Sequence, residues 1–357
     1  MSRPPRGGAR ETDEPTASAP TERVVAALGF EHVLAQPAAV QTLQRALAQD
    51  RVAHAYLFEG PGGVGKELAA LSLAAALLCP EAQRSSAACS CSLCERVRSG
   101  VHPDVRVFRP RDEGDRNLAV ELVRSEVLPF ARFAPFEARA ACLIFPEADV
   151  SFPDQHQESA NALLKTLEEP RPRITFILLA ERPDRLLPTI RSRCQRVRFR
   201  PLPAAVLEQI LERHGVPAEV RPAAIALAQG RADRALFLAN EGVAERLLEL
   251  ALRIDDAVNA KKPGDLLDLA AELAQSEQRD LLLSTLAMFY GDVAQLALRD
   301  DARLAFPQQS TLLRERARAL GARRAAERVG AIAETFDALE RNANPETALD
   351  ALLLGFA

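Results

Sequence analysis

Tryptophan is absent from this chain of 357 residues, and lysine is scarce. The lysines are Lys66, Lys165, Lys261 and Lys262, whereas arginine is spread over every segment. Such a spread is typical of a coding bias and marks no site. The net charge of −4 excludes an overall basic field. Any contact with nucleic acid is therefore expected from a local patch or through a partner protein.

Long apolar runs are also missing. No run approaches the roughly 20 residues that cross a bilayer, so no membrane span is predicted. Residues 1–22 lack the apolar centre of a secretory signal. They are rich in proline, glycine, serine, threonine and charge, which predicts a disordered tail. We expect a cytoplasmic protein.

The rest of the chain has an ordinary globular composition, with 48% hydrophobic residues. Short apolar runs predict strands, and amphipathic or apolar segments between them predict helices. This alternation favours an α/β domain over residues 23–200, with a parallel sheet covered by helices on both faces. Strand signals end near residue 200. A small helical domain (201–242) and an all-helical C-terminal domain (243–357) are expected to follow. The predicted strands are 55–60, 104–108, 141–145, 175–180 and 196–199, and the predicted helices of the first domain are 24–30, 37–50, 67–78 and 159–169.

A glycine-rich stretch, GPGGVGKE at residues 60–67, lies between a predicted strand and a predicted helix. That context is typical of a phosphate-binding loop, in which backbone N–H groups and one lysine hold the phosphates of a nucleotide. The alternative is a strand-to-helix turn that binds nothing. The predicted nucleotide contacts are Gly60, Gly62, Gly63, Val64, Gly65, Lys66 and Glu67.

The residues that should hold magnesium are altered. Glu67 stands where a Ser or Thr hydroxyl usually coordinates the ion. An acidic pair is expected after the strand 141–145, but the chain has Pro146 and then Glu147. Two changes at metal-binding positions argue against ATP hydrolysis by this chain. Binding of ATP or ADP without hydrolysis stays open, because affinity needs the loop and turnover needs the metal.

Four of the six cysteines, Cys79, Cys89, Cys91 and Cys94, are clustered in sequence. Four thiolates at short spacing predict a structural Zn²⁺ site with no open coordination position. The zinc module would span residues 79–94, inserted between a helix and a strand. Free thiols in a loop are the alternative.

The segments SANALLKTLEEP (159–170), TIRSRC (189–194) and HAYLFEGPGGVGK (54–66) together resemble the clamp-loader branch of the AAA+ ATPases. GVHPD (100–104), GRADRAL (230–236) and the altered magnesium positions make the resemblance closer to the bacterial delta-prime type than to the gamma/tau type. The resemblance implies an AAA+ P-loop domain, a helical lid and a helical collar.

The resemblance also implies a role for Arg193 in the Ser-Arg-Cys triplet 192–194. In the family this arginine reaches the ATP of a neighbouring subunit, where it acts in trans as a catalytic finger. Departures elsewhere agree with a weak local site. Glu181 or Arg182 stands where a small polar residue senses the γ-phosphate, and the lid arginine of the ATPase subunits falls near Asp233 or Arg234.

Together these features predict a clamp-loader subunit of DNA polymerase III, without catalysis of its own, inside a nucleotidyltransferase holoenzyme. Its implied partners are gamma/tau and delta subunits, the sliding clamp, and primer–template DNA reached through the complex. Two alternatives remain: an active gamma/tau-type ATPase subunit, and a zinc-dependent nucleic-acid-binding module. A run of arginines at 171, 173, 182 and 185 is interpreted either as a surface that contacts DNA phosphates or an acidic neighbour, or as a solvated surface.

Overall fold

A computed structural model describes residues 27–84, 89–110, 118–153, 157–240, 242–260, 262–302 and 304–356. The predicted disordered tail, residues 1–22, lies outside the described residues. A helix is predicted over residues 24–30, but residues 27–29 are not helical and Phe30 begins a short 3₁₀ turn, Phe30–His32. Gly29 there has φ 147°, which is incompatible with a continuous helix.

A five-stranded parallel sheet forms the centre of the described N-terminal part. The strands in spatial order are β2, β3, β4, β1 and β5. Their bounds are β1 Ala55–Glu59, β2 Val105–Val107, β3 Ala141–Phe145, β4 Ile174–Ala180 and β5 Gln195–Arg198. Every neighbouring pair is parallel. The predicted α/β class is confirmed, and the carboxyl ends of the strands share one edge.

The central strands β1, β3 and β4 are buried along their whole length. Such strands read as continuous apolar runs, because helices cover both faces of a parallel sheet. In β1, Tyr56 and Phe58 contribute to the core on one face, and Leu57 contributes to the core on the other. The first core continues into the C-terminal helices, and the second is closed by Leu163 and Leu167.

The helices that surround and follow the sheet are numbered in chain order. Those of the N-terminal part are α1 Pro37–Ala48, α2 Lys66–Leu78, α3 Pro80–Arg84, α4 Ser92–Arg98, α5 Val120–Leu122, α6 Leu128–Arg132, α7 Ala148–Ser151, α8 Gln157–Glu168 and α9 Pro188–Arg191. A π-helical turn, Val123–Val127, joins α5 to α6. Three lid helices follow: α10 Ala204–Arg213, α11 Arg221–Ala228 and α12 Ala232–Leu238. The collar helices are α13 Val243–Ala260, α14 Pro263–Gln275, α15 Arg279–Leu298, α16 Ser310–Glu340 and α17 Pro345–Phe356.

Helix α15 is long and apolar enough to cross a membrane by length and composition, so the sequence prediction that no segment reaches that size was wrong. Half of its apolar window is buried inside the protein. Leu283, Phe289 and Tyr290 on this helix are fully buried. A core helix of a helical domain has this character, and α15 packs most extensively against α16.

Candidate functional site

The predicted phosphate loop runs from the end of β1 into α2, and its glycines occur where the backbone needs them. Gly60, Gly63 and Gly65 have φ of 143°, 61° and 95°, which side-chain-bearing residues rarely adopt. The N–H of Gly60 donates to the carbonyl of Ala180 at 3.1 Å, which ties the loop to β4. A Cβ on Gly60 would lie 2.3 Å from the carbonyl oxygen of Phe199. The loop has the expected geometry.

Lys66, the first residue of α2, points back into its own loop. Its ammonium donates to the carbonyl oxygens of Gly60 and Pro61. The residue is 7% exposed. Burial lowers the pKa of Lys66 to about 8, against the opposing effect of the nearby carboxylates of Glu181 and Asp149. Local carbonyls and carboxylates thus surround the charge that would neutralise a phosphate.

The first residues of α12 lie directly on the loop. The N–H of Ala232 donates to the carbonyl of Gly63 at 2.9 Å. A Cβ on Gly63 would lie 1.9 Å from Oδ1 of Asp233. The lid therefore touches the phosphate loop without a gap at this point.

A charged cluster covers the loop beside that contact. Arg231 donates to Oε2 of Glu181 at 3.1 Å and to Oδ2 of Asp233 at 3.1 Å. A Cβ on Gly62 would lie 2.2 Å from Oε1 of Glu181 and 2.3 Å from Nη2 of Arg231. One guanidinium between two carboxylates thus lies against the glycines that would face a nucleotide. We call Arg231, Glu181 and Asp233 the loop-covering cluster.

The sequence comparison with ATPase lids pointed to position 233 or 234 and missed Arg231. Arg234 faces away from the loop, since it donates to Gln229 at 3.2 Å and to Ser284 of α15 at 3.3 Å. The available signal for Arg231 was its position immediately before α12, where a side chain can reach back over the loop.

Glu67 does not extend freely toward the space that phosphates would occupy. Its carboxylate forms an ion pair with Arg109, which follows β2. A neighbouring cation therefore offsets the negative charge that Glu67 places beside the loop. No hydroxyl is supplied at this position, so the missing magnesium ligand is not replaced.

Of the acidic residues after β3, Asp149 is bonded to the backbone of another segment. Pro146 follows the strand, and Glu147 is exposed. Asp149 is buried, and its Oδ2 accepts the N–H groups of Glu181 at 3.1 Å and Arg182 at 2.7 Å. Asp149 thus fixes the turn that leaves β4, and carboxylate oxygens that could hold a metal are used as backbone acceptors.

Arg193 lies after α9 and before β5. Its Nη1 donates to the carbonyl of Thr189 at 2.8 Å, and its Nη2 forms an ion pair with Oε1 of Glu168. The side chain of Arg193 is 31% exposed and that of Glu168 is 48% exposed. Glu168 is not among the site residues predicted from the sequence. Neighbouring Cys194 is buried, and this burial raises its pKa to about 12, so that it is an inert thiol.

The sheet register separates Arg193 from this chain's own phosphate loop. β5 runs parallel to β1, with Gln195 opposite Tyr56 and Arg198 opposite Glu59. Arg193 precedes the start of β5, whereas the loop follows the end of β1. A strand of this length spans roughly 13 Å at about 3.3 Å per residue. Arg193 therefore lies at the amino ends of the parallel strands, whereas the loop lies at their carboxyl ends.

The four clustered cysteines come together in space. Their sulfur atoms all lie within 4.8 Å of one another. The Sγ of Cys79 is 3.9 Å from that of Cys89 and 3.7 Å from that of Cys91. The Sγ of Cys91 accepts the N–H of Cys94 at the start of α4, and this hydrogen bond lowers the pKa of Cys91 to about 7. Residues 85–88, inside the predicted zinc module, lie outside the described residues.

The four arginines around β4 do not form one patch. Arg171 and Arg173 precede Ile174, and Arg182 and Arg185 follow Ala180. A seven-residue strand places the two pairs roughly 20 Å apart. The two pairs therefore lie at opposite ends of β4, and the choice between a contacting and a solvated surface stays a prediction for each pair.

Residues 35–203 match the family described as "DNA polymerase III, delta subunit". DNA polymerase III subunit delta' of Bacillus subtilis (strain 168) is 27% identical over 324 residues, covering 89% of this chain and 95% of the relative. The subunit delta' of Pseudomonas aeruginosa is 37% identical over 197 residues, 54% of this chain and 58% of the relative. The tau subunit of Bacillus subtilis is 36% identical over 174 residues, 48% of this chain and 29% of the relative.

The two delta' relatives and the family match agree with each other. The tau match is confined to about half of this chain, whereas the Bacillus delta' match runs through sheet, lid and collar. The parallel sheet and the helical C-terminal part agree with the architecture that the sequence resemblance implied. The family match and the two delta' relatives support a delta-prime subunit of the DNA polymerase III clamp loader.

Proposed function

We propose that this clamp-loader subunit does not hydrolyse ATP itself and supplies Arg193 in trans to ATP bound by a neighbouring gamma/tau-type subunit. One observation carries the proposal: Arg193 lies at the amino ends of the strands, whereas this chain's own phosphate loop lies at their carboxyl ends. A guanidinium there is out of reach of a local nucleotide and is partly exposed at the surface. Arginine suits the role because it stays charged and can bind phosphate oxygens with two parallel N–H groups.

The chemistry of the local loop supports the first half of the proposal. Hydrolysis needs a hydroxyl ligand and an acidic residue for Mg²⁺. Glu67 and Pro146 occupy those positions, and Asp149 is held by two backbone N–H groups. These residues do not fit a magnesium–ATP complex in a hydrolytic geometry.

Bound ATP or ADP would have to displace the loop-covering cluster. In the proposed nucleotide-bound state, the N–H groups of residues 62–67 and the ammonium of Lys66 would face the phosphates. That ammonium already has two carbonyl partners and two nearby carboxylates, so the exchange would release little electrostatic energy. We propose that any nucleotide here is bound weakly and is not turned over.

The wider assignment follows from the family. We propose gamma/tau and delta subunits as partners in a ring, with the sliding clamp and primer–template DNA as the substrates of the assembled complex. The complex would be part of a cytoplasmic polymerase holoenzyme. Within it we assign residues 23–200 to the AAA+ domain, 201–242 to the lid and 243–357 to the collar through which subunits associate.

The decisive experiment replaces Arg193 by alanine in the assembled complex. Loss of a trans arginine lowers turnover in related phosphoryl-transfer systems by roughly 10³- to 10⁵-fold at the affected site. We expect the ATPase activity of the complex to fall by the fraction that this one site contributes to the total activity. Gel filtration should show normal assembly. Arg191→Ala is the matched control, because it removes the same charge from the last turn of α9. Unchanged turnover with Arg193→Ala would remove the trans role.

The alternatives predict different results for the purified chain. ATP turnover by the isolated chain that is abolished by Lys66→Ala would establish the gamma/tau-type ATPase. DNA binding by the isolated chain that disappears on chelation would support the zinc-dependent nucleic-acid-binding module. Neither is expected, and both assays need only this protein.

We also propose that Cys79, Cys89, Cys91 and Cys94 hold a structural Zn²⁺. A tetrahedron with bonds of about 2.3 Å places sulfur atoms roughly 3.8 Å apart. The Sγ distances of 3.9 Å and 3.7 Å from Cys79 fit this geometry. Four thiolates fill the coordination shell, so the ion would pin the excursion between α2 and β2 and supply no reaction chemistry.

Metal analysis tests the zinc assignment directly. The purified chain should contain about one zinc per molecule, and Cys94→Ser should contain much less. Cys142→Ser is the control, since that buried thiol lies in β3 and outside the cluster. Equal zinc in both variants, or no zinc in the wild-type chain, would contradict the assignment.

A further inference from the structure

The proposed trans arginine is held by partners within its own chain. Nη1 of Arg193 donates to the carbonyl of Thr189 at 2.8 Å, and Nη2 contacts Oε1 of Glu168. These bonds use two of the five N–H groups of a guanidinium. Within the described part of the chain, the other three N–H groups remain for an incoming anion. The arrangement orients the planar group without exhausting it.

Glu168 is well placed to act as an anchor. It is the last residue of α8, where the carbonyl ends of the helix carry partial negative charge. A carboxylate in this position is unfavourable unless a cation lies beside it, so Glu168 and Arg193 stabilise each other's orientation. Helices α8 and α9 pack against one another and fix the distance between the two side chains.

We propose that Glu168 is the positioning residue of Arg193. By fixing the guanidinium before a neighbour's nucleotide arrives, Glu168 reduces the conformational entropy that the arginine loses on reaching the phosphate. The inference rests on the proposed trans role of Arg193 and deepens it. The partner chemistry is a triphosphate terminus bound by an adjoining subunit.

The test uses the fully assembled complex with Glu168→Ala and Glu168→Gln. Immobilising a long side chain corresponds to about a two- to tenfold effect, so turnover at the affected site should fall by that factor in Glu168→Ala. The loss should appear in kcat, with KM for ATP unchanged, because the arginine contributes in the transition state. Glu168→Gln keeps an oxygen acceptor and should lose less.

Glu169→Gln is the matched control, since it removes the same charge one residue later. Glu169 is exposed and forms no ion pair with Arg193 among the described residues. Its ATPase activity should equal that of the wild-type complex. Equal loss in Glu168→Gln and Glu169→Gln would show a general charge effect and overturn the positioning role.

A double-mutant cycle separates this inference from the proposed function. Glu168→Ala should have no further effect in an Arg193→Ala background, because Glu168 acts through Arg193. If Arg193→Ala itself changes nothing, the trans role fails. If Arg193→Ala lowers turnover but Glu168→Ala does not, or raises it, only the positioning role fails. Normal assembly of each complex by gel filtration excludes misfolding as the cause.

Discussion

The phosphate loop and the segment around Arg193 carry the two positive charges that an AAA+ ATP site needs. These charges, Lys66 and Arg193, lie in different surroundings. Lys66 is 7% exposed and is surrounded by its own loop carbonyls and nearby carboxylates. The side chain of Arg193 is 31% exposed and has one half-exposed carboxylate partner. The first charge is buried within the chain, whereas the second is available at the surface.

The difference bears on the proposal that this chain does not hydrolyse ATP. The fold and the glycine geometry of the loop are intact. In this chain the loop is covered by Arg231, Glu181 and Asp233. The two magnesium positions hold Glu67 and Pro146. Arg193 is held instead by an exposed ion pair. Such a pair contributes only about 0–1 kcal/mol, so another anion can replace it readily.

The largest effect expected from this comparison is a pH dependence at Lys66. Its pKa is about 8 in the folded chain and 10.5 ordinarily. Between these values the unfolded chain binds more protons than the folded chain, so the free energy of unfolding rises with pH. The contribution amounts to roughly 3 kcal/mol across the window.

Urea unfolding of the wild-type chain and Lys66→Met, from pH 7.5 to pH 10.5, measures this contribution. Lys66→Met carries no titrating group, so the wild-type chain should gain stability relative to it as the pH rises. A constant difference over the range would show that the ammonium is not buried in solution. Lys66 would then be exposed as Arg193 is, and the contrast between the two charges would not hold.

A smaller effect is expected from filling the space between loop and lid. A Cβ on Gly63 would lie 1.9 Å from Oδ1 of Asp233, at a φ of 61°. Overlap of this kind together with an unfavourable φ should lower the free energy of unfolding of Gly63→Ala by about 1–3 kcal/mol. Urea denaturation measures it.

Gly264→Ala is the control for that substitution. Gly264 lies in α14, and a Cβ added there would meet no described atom of a neighbouring element within 4 Å. Its stability should be unchanged or higher by up to about 1 kcal/mol. If Gly63→Ala behaves like Gly264→Ala, the lid does not contact the loop in solution and the local site is open.

Much of the architecture could be predicted because it is encoded locally. The apolar run ACLIF gives a strand with the predicted bounds, Ala141–Phe145, since a doubly covered parallel strand needs no alternation. The loop was recognised from Gly60 to Lys66 because glycine spacing reflects backbone geometry. The two altered magnesium positions could likewise be identified from their distance to neighbouring strands.

The partners of the charges could not be predicted in the same way. Arg231 and Glu181 are 50 residues apart in sequence, and Arg193 and Glu168 are 25 apart. Such pairs depend on which strand lies beside which and on how the lid docks. Among many surface arginines and glutamates, sequence alone does not choose a pair. Glu168 was accordingly not among the residues predicted for a site.

The smallest effect is expected from restoring one side of the local site. Glu67→Thr supplies the hydroxyl that the loop lacks, and it frees Arg109. Pro146 still occupies the second metal position, Asp149 still holds two backbone N–H groups, and the loop-covering cluster is unchanged. ATP turnover by the purified variant should therefore stay at the trace level of the wild-type chain in a phosphate-release assay. Measurable turnover would mean that residue 67 alone separates this loop from a hydrolytic one. The contrast between the loop and Arg193 would then depend on that single side chain.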